Sequence, residues 1–273
     1  MGTQSTDALW RRSLDRIESQ VEEIRFPEVD GSRISQDRET CEVVVDGKRL
    51  RVRFHDYDEV FQIPGLYEKL FYEELECCSP NRVVGLLEDV LEDDDEATDD
   101  LAVLDVGAGN GMVGEEFEVR GVRKIVGVDI IEEAKEAALR DRPEVYDDYH
   151  VTDLTDLPEP MEEQLREENL NCLSTVAALG FGDIPAEAFL KALDVIETPG
   201  WIAFNIKEDF LREADTTGFC ELIRTLAREE IIQIQAYRRY RHRVSITGEP
   251  LYYVAMVAKK LKDVPDHLMP NRE

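Results

Sequence analysis

From residue 101 onward the chain alternates short apolar runs with charged, helix-forming segments. That alternation constrains the fold more than any other feature. LAVLDV (101–106), KIVGVDI (124–130), DDYHVTDL (147–154), LNCLSTVAAL (170–179) and WIAFNI (201–206) all have strand length. Between them lie GMVGEEFEVRG (111–121), IEEAKEAALR (131–140), PMEEQLREEN (160–169) and PAEAFLKALDVI (185–196), and TGFCELIRTLAREE (217–230) follows the fifth. Apolar strands separated by helices pair in parallel, and the helices cover both faces of the sheet. Two last runs, IIQIQAYRRY (231–240) and LYYVAMVAKKL (251–261), predict a closing β-pair.

The region ahead of residue 101 follows a different pattern. Leu9, Trp10, Leu14, Ile17, Val21 and Ile24 recur at helical spacing, so residues 1–40 read as a polar helical arm ended by Pro27 and Gly31. Val43 and Val45 precede Asp46-Gly47, and Leu50, Val52 and Phe54 alternate after it, which predicts a β-hairpin. Residues 57–78 read as a helix with Pro64-Gly65 at its entry, and a further helix runs to about 91. EDDDEATDD (92–100) is a solvated linker, lacking the central glycine and closing glutamate of a calcium loop. The expected division is 1–55 as an accessory arm and hairpin able to act as a lid, 56–262 as the main domain, and 263–273 as a C-terminal tail.

Charge excludes whole classes of partner. There are 61 acidic residues against 32 basic ones, a formal net charge of -29. Such a surface repels phosphate backbones and anionic headgroups, so neither nucleic acid nor a membrane is expected as a partner. No apolar stretch reaches membrane-spanning length, and MGTQSTDALWRRSLDR has no leader-like apolar region, so a cytoplasmic location is expected. Only nine of the basic residues are lysine. An acidic, lysine-poor chain fits a high-salt cytoplasm, where ions screen self-repulsion; a genome favouring arginine codons accounts for it equally. Five cysteines without a CxxC pair read as free thiols, and four scattered histidines predict no metal site.

The sharpest motif is Asp105-Val106-Gly107-Ala108-Gly109-Asn110-Gly111, set between a strand and a helix. Glycines there permit a tight turn and close approach of a ligand to the backbone. Asp129 follows at the end of the second strand, where a carboxylate can accept from both hydroxyls of a ribose. Together they predict a nucleoside-containing cofactor. Met112 stands where a dinucleotide fingerprint has its third glycine. Asp105 is ill placed for a pyrophosphate and suits a ligand bearing positive charge, such as an ammonium or a sulfonium.

Residues 101–262 resemble a class I S-adenosylmethionine-dependent methyltransferase. LAVLDVGAGNGMVGEEF resembles the first motif of that family, GVDII its second and HVTDL its third. VGAGNGMVGEE, VTDLTDLP, ALGFGDIPAEAF and FNIKEDF are further similar to a subgroup that includes the Williams–Beuren-region methyltransferase-like proteins. The resemblance implies a Rossmann-like α/β fold: a seven-stranded, mostly parallel sheet with its last strand inserted antiparallel, here preceded by the arm and hairpin. It implies S-adenosylmethionine as cofactor, S-adenosylhomocysteine as product, and methyl transfer to a small-molecule acceptor. The alternative is a protein of this fold that binds cofactor or partner without turnover. The implied cofactor-binding residues are Asp105, Gly107, Ala108, Gly109, Asn110, Gly111, Asp129, Ile130, Thr152, Asp153, Leu154 and Ser174, with Asp153 meeting the adenine amino group.

Ser174-Thr175-Val176-Ala177 occupies the place of the NPPY-type tetrapeptide of amino-methylating enzymes, and no Pro-Cys nucleophile is present, so methylation of bases is not expected. Phe181, Asp183, Asn205 and Lys207 follow the fourth and fifth strands. Asp183 is expected to cap the helix at Pro185, Asn205 and Lys207 to be solvated strand ends, Tyr67 to pack in the core, and His55 and His150 to be structural. No catalytic base and no oligomeric state is assigned.

Overall fold

The computed structural model describes residues 9–28, 36–180, 183–212 and 216–269. The chain begins with α1 (Leu9–Arg16), β1 (Val21–Arg25), β2 (Thr40–Val45) and β3 (Lys48–Arg53), then α2 (Tyr57–Gln62), a π-helical stretch (Glu68–Glu74) and α3 (Ser79–Asp93). The alternating region follows: β4 (Ala102–Val106), α4 (Met112–Glu118), β5 (Lys124–Asp129), α5 (Glu132–Asp141), β6 (Asp148–Val151), α6 (Glu159–Glu167), β7 (Cys172–Thr175), α7 (Ala186–Val195), β8 (Gly200–Lys207) and α8 (Phe219–Arg228). β9 (Ile232–Val244) and β10 (Pro250–Lys260) close the chain. Among the described residues, no helix is long and apolar enough to cross a membrane.

Seven strands form one sheet in the order β6-β5-β4-β7-β8-β10-β9. β4 to β8 run parallel, and β10 lies antiparallel between β8 and β9. This is the expected Rossmann-like α/β arrangement. Side chains alternate faces along each strand. Leu104, Val106, Ile202 and Phe204 pack with α7 and α8, whereas Val103, Trp201 and Ala203 pack with α3 and α4. The chain moves outward from β4 through β5 to β6, then returns to β7 on the other side of β4. That reversal opens a crevice at the carboxyl ends of β4 and β7, the usual ligand position in such sheets.

The arm differs from its expected form. The helix ends at Arg16, and Val21–Arg25 is a strand paired antiparallel with β2, with Ile24 opposite Val43. A bulge between Val21 and Glu23 inserts one residue, so Val21 and Ile24, three apart, both turn toward the same core. That bulge produced a helix-like spacing inside a strand. The hairpin forms as expected, with Asp46 at φ 49 and Gly47 at φ 70, the paired left-handed residues of a tight two-residue turn. The helix expected over 57–78 is broken at Pro64-Gly65 into α2 and the π-helical stretch. The small sheet packs Val43, Val52 and Phe54 against Leu66, Leu70, Phe71 and Met112, so one apolar cluster spans the hairpin and the glycine turn.

A buried ion-pair network joins the N-terminal helices to that turn. Arg142 donates from Nη1 to Glu68 Oε1 at 2.9 Å and from Nε to Glu115 Oε2 at 3.0 Å. Glu68 Oε1 also accepts from Asn110 Nδ2 at 2.7 Å. Glu115 Oε1 accepts from Ser13 Oγ and from Arg16 Nη2 of α1. The Arg142 and Glu68 side chains have no solvent exposure. Removing one member of such a network leaves an uncompensated buried charge. Arg142→Leu is therefore expected to destabilise the fold by about 3–5 kcal/mol in denaturant unfolding.

Candidate functional site

A cavity of about 510 Å³ opens at the carboxyl ends of β4 to β7. The glycine turn floors it, the ends of β5 and β6 form one wall, and His55, Tyr57, Phe61, Tyr67 and Tyr72 form another. The turn fits only glycine at its tightest points. Gly107 has φ 71, and a Cβ there would meet the Ala178 methyl at 2.8 Å. Gly109 has φ 54, and a Cβ there would meet the Phe61 ring at 3.1 Å.

Side chains outside the motif hold the turn. Asp129 Oδ2 accepts from Gly109 N at 2.9 Å, and its Oδ1 accepts from Ile131 N at 3.1 Å. Burial nonetheless pushes its carboxyl above the ordinary range, with the backbone N–H groups opposing. The Tyr149 hydroxyl donates to Gly109 O at 2.8 Å, and the Tyr146 hydroxyl donates to Asp105 Oδ2 at 2.8 Å. Gly114 and Gly127 leave the space that these two rings occupy. Asp153 Oδ1 accepts from Thr155 N at 2.8 Å and from Thr155 Oγ1 at 2.7 Å, capping a short 3-10 turn.

Of the residues expected to bind cofactor, Gly107, Ala108, Gly109, Asn110, Asp129, Ile130, Thr152, Asp153 and Leu154 line this one cavity. Asp105, Gly111 and Ser174 do not line it. Asp105 is fully buried on β4, in register with Gly127 on one side and Ser174 on the other. Its Oδ1 has no hydrogen-bond partner, and burial pushes the carboxyl up to about 7. Gly111 packs against Arg142 and Tyr146.

Other expectations change. Asp183 caps nothing: α7 begins after Pro185 with no side-chain cap, and Asp183 Oδ2 lies 3.2 Å from His55 Nδ1 at the cavity. Asn205 is no solvated strand end. It is fully buried, accepting from Ala177 N at 2.6 Å and donating to the Tyr240 hydroxyl at 2.6 Å. Tyr67 packs on Phe61 and Phe71 and also lines the cavity. His55 reaches the cavity as well, while Lys207 does not line it. Phe181 lies outside the described residues.

A family model described as a methyltransferase domain matches residues 104–204, from β4 through β8. The chain carries a methyltransferase domain. Its cofactor is S-adenosylmethionine. No curated protein matches. Among solved structures, a putative RNA methyltransferase from Pyrococcus horikoshii is 14% identical, covering 67% of this chain and 84% of its own, with a TM-score of 0.49. Magnesium protoporphyrin IX methyltransferase from Synechocystis PCC 6803 with bound SAM is 14% identical over 66% of this chain and 79% of its own, at 0.45. Ribosomal protein L11 methylase from Lactobacillus delbrueckii subsp. bulgaricus is 17% identical over 66% and 79%, at 0.43. These likenesses carry no argument about the substrate.

The methyltransferase cavity fits its cofactor on its own chemistry. Asp129, Asp153 and Asp183 line it, and no lysine or arginine is among the described lining residues. A pyrophosphate would find no cation there, whereas a sulfonium and an ammonium meet favourable potential. Asp105 lies buried beneath the turn, and burial is the main cause of its raised pKa. Its folded pKa lies above the value in an unfolded chain, so its contribution to stability is complete below about pH 4 and is lost as pH rises through about 7. Asp105→Asn removes this dependence. Relative to wild type, the variant is expected to gain up to about 3 kcal/mol between pH 5 and pH 8, read by denaturant unfolding at both.

Proposed function

We propose that the chain transfers a methyl group from S-adenosylmethionine to an uncharged small molecule held in the same cavity, with S-adenosylhomocysteine as product. The observation that carries this reading is the make-up of the cavity. The glycine turn and Asp129 occupy one side, an aromatic wall occupies the other, and no lysine or arginine lies among the described lining residues. Gly107 to Asn110, Asp129, Ile130, Thr152, Asp153 and Leu154 hold the cofactor from the cavity, and Asp105, Gly111 and Ser174 support the turn from beneath. The bound cofactor supplies an electrophilic methyl on sulfur. The protein's part is to position the acceptor and exclude water.

The N-terminal arm and hairpin act as a lid. Their Val52 and Phe54 pack against the segment that follows, from which Phe61 reaches the glycine turn and Tyr67 lines the cavity. A net charge of -29 and a cavity without lysine or arginine among its described lining residues oppose anionic acceptors, nucleic acid included. The similarity of VGAGNGMVGEE and ALGFGDIPAEAF to the Williams–Beuren-region subgroup supports placement among small methyltransferases. The protein works in the cytoplasm of a salt-rich cell on this reading, and its unfolding temperature is expected to rise with molar KCl; a flat salt series would count against the adaptation.

The cofactor half is tested by calorimetric titration with S-adenosylmethionine, S-adenosylhomocysteine and NADH. The two S-adenosyl ligands are expected to bind and NADH is not. Asp129→Ala is expected to lose about 1.5–3 kcal/mol of that binding, the usual worth of a hydrogen-bonded charge. Binding of NADH alone would overturn the reading.

A further inference from the structure

S-adenosylmethionine carries a carboxylate as well as an ammonium and a sulfonium. The positive groups suit a cavity lined by Asp129, Asp153 and Asp183. The carboxylate needs hydrogen-bond donors, and no lysine or arginine is among the described lining residues. Several lining donors are already engaged. Asn110 Nδ2 donates to Glu68 Oε1 at 2.7 Å, the Thr155 hydroxyl donates to Asp153 Oδ1 at 2.7 Å, and His55 Nδ1 lies 3.2 Å from Asp183 Oδ2. Thr152 stands beside Asp153 after β6, on the side that the family resemblance gives to the adenine.

Tyr57 and Tyr67 differ from these groups. Tyr57 opens α2, Tyr67 leads into the π-helical stretch, and both line the cavity. Their rings are held in place. Tyr57 packs on Phe61 at 5.9 Å between centroids, and Tyr67 packs on Phe61 at 5.3 Å and on Phe71 at 4.8 Å. Among the described residues, neither hydroxyl makes a hydrogen bond. Burial is the main cause that pushes both phenols above their ordinary range, with Asp183 adding to it at Tyr57 and Cys77 at Tyr67. Both therefore stay protonated and remain donors. A donor withdrawn from bulk water without a partner is costly, and a ligand oxygen removes that cost.

We propose, resting on the methyl-transfer reading above, that the hydroxyls of Tyr57 and Tyr67 receive the carboxylate of S-adenosylmethionine. Neutral donors suit this place better than a cation. A lysine or arginine here would pair with the lining carboxylates and cancel the potential that favours a sulfonium. A phenol donates to the ligand carboxylate and leaves that potential in place, so the lining carboxylates remain for the two positive groups of the ligand. The rings are already packed, so little side-chain freedom is lost when the ligand arrives. On this proposal the aromatic segment helps to hold the cofactor, although it lies outside residues 104–204 matched by the methyltransferase domain model.

The test is calorimetric titration of the full chain with S-adenosylmethionine and with its decarboxylated analogue, which keeps the sulfonium and the amine. The double variant Tyr57→Phe/Tyr67→Phe removes both hydroxyls and keeps both rings. It is expected to weaken S-adenosylmethionine binding at least about tenfold, the effect of losing a hydrogen bond to a charged group, while affinity for the analogue stays within about twofold. Comparing two ligands on one variant cancels any effect of the substitutions on folding. An equal loss for both ligands overturns the proposal and leaves the hydroxyls a part in shaping the wall only. Unchanged S-adenosylmethionine affinity in the double variant overturns it as well. Failure of the wild type to bind either ligand overturns the methyl-transfer reading itself, and this proposal with it.

Discussion

The buried guanidinium of Arg142 sets the position of everything around the cavity. It lies just beyond α5 and binds Glu68 of the π-helical stretch, Glu115 of α4 and the carbonyl of Asn110 in the glycine turn. The π-helical stretch and the glycine turn with the helix that follows it are thereby fixed to one planar fork of donors. A buried ion pair contributes little net stability, since desolvation offsets the attraction. Its effect here is geometric. Any displacement of the π-helical stretch separates Glu68 from Arg142 and leaves buried charge unpaired, so the stretch has one strongly preferred docking position on the turn.

Electrostatics and sheet periodicity act together at Asp105. Alternation along β4 sends Val103 and Asp105 to the face covered by α3 and α4, away from the apolar side of Leu104 and Val106. The carboxyl is buried under the turn with one oxygen bonded to Tyr146 and the other unpartnered. Asp129 is also pushed up by burial. Carboxyls in this condition ionise more readily when positive charge arrives nearby. A cationic cofactor would therefore lower the cost of their own negative charge, and an anionic ligand would raise it. The acidic lining and the buried carboxyl thus select the same sign of ligand.

The legible parts of this molecule were those whose physics is contiguous in sequence. The glycine turn, its flanking strand and helix, and Asp129 occupy one unit in which spacing alone places the residues together. The closing β-pair was legible for the same reason. β1 was not, because its bulge gave Val21 and Ile24 a spacing of three that mimics a helix. The placement of Asp183 failed for another reason. Position before Pro185 suggests a cap, but His55 offers a partner from the far side of the cavity. Asn205 was misread because its partners, Ala177 and Tyr240, come from two other elements. Nothing in the local sequence of His55, Tyr146 or Tyr149 announces a contact that only the packed sheet creates.

The same division of labour runs through the cavity. The strand ends of the core are occupied in holding the loops around the cavity: Asp129 holds Gly109, Asp153 holds Thr155, and Asn205 holds Ala177 after β7. Little of that set is left to recognise a second molecule. The remaining wall is shared between residues 176–188 and an aromatic group from residues 55–72, whose rings pack on one another in sequence, Tyr57 on Phe61, Phe61 on Tyr67 and Tyr67 on Phe71. A stacked aromatic series is stiff, because moving one ring opens space against the next. The hairpin cluster backs it through Phe54 and Val52, and the Glu68 network fixes it to the turn. The aromatic part of the cavity wall therefore lies in the part of the chain that the methyltransferase domain model does not cover, while the glycine turn and the strand ends lie within it.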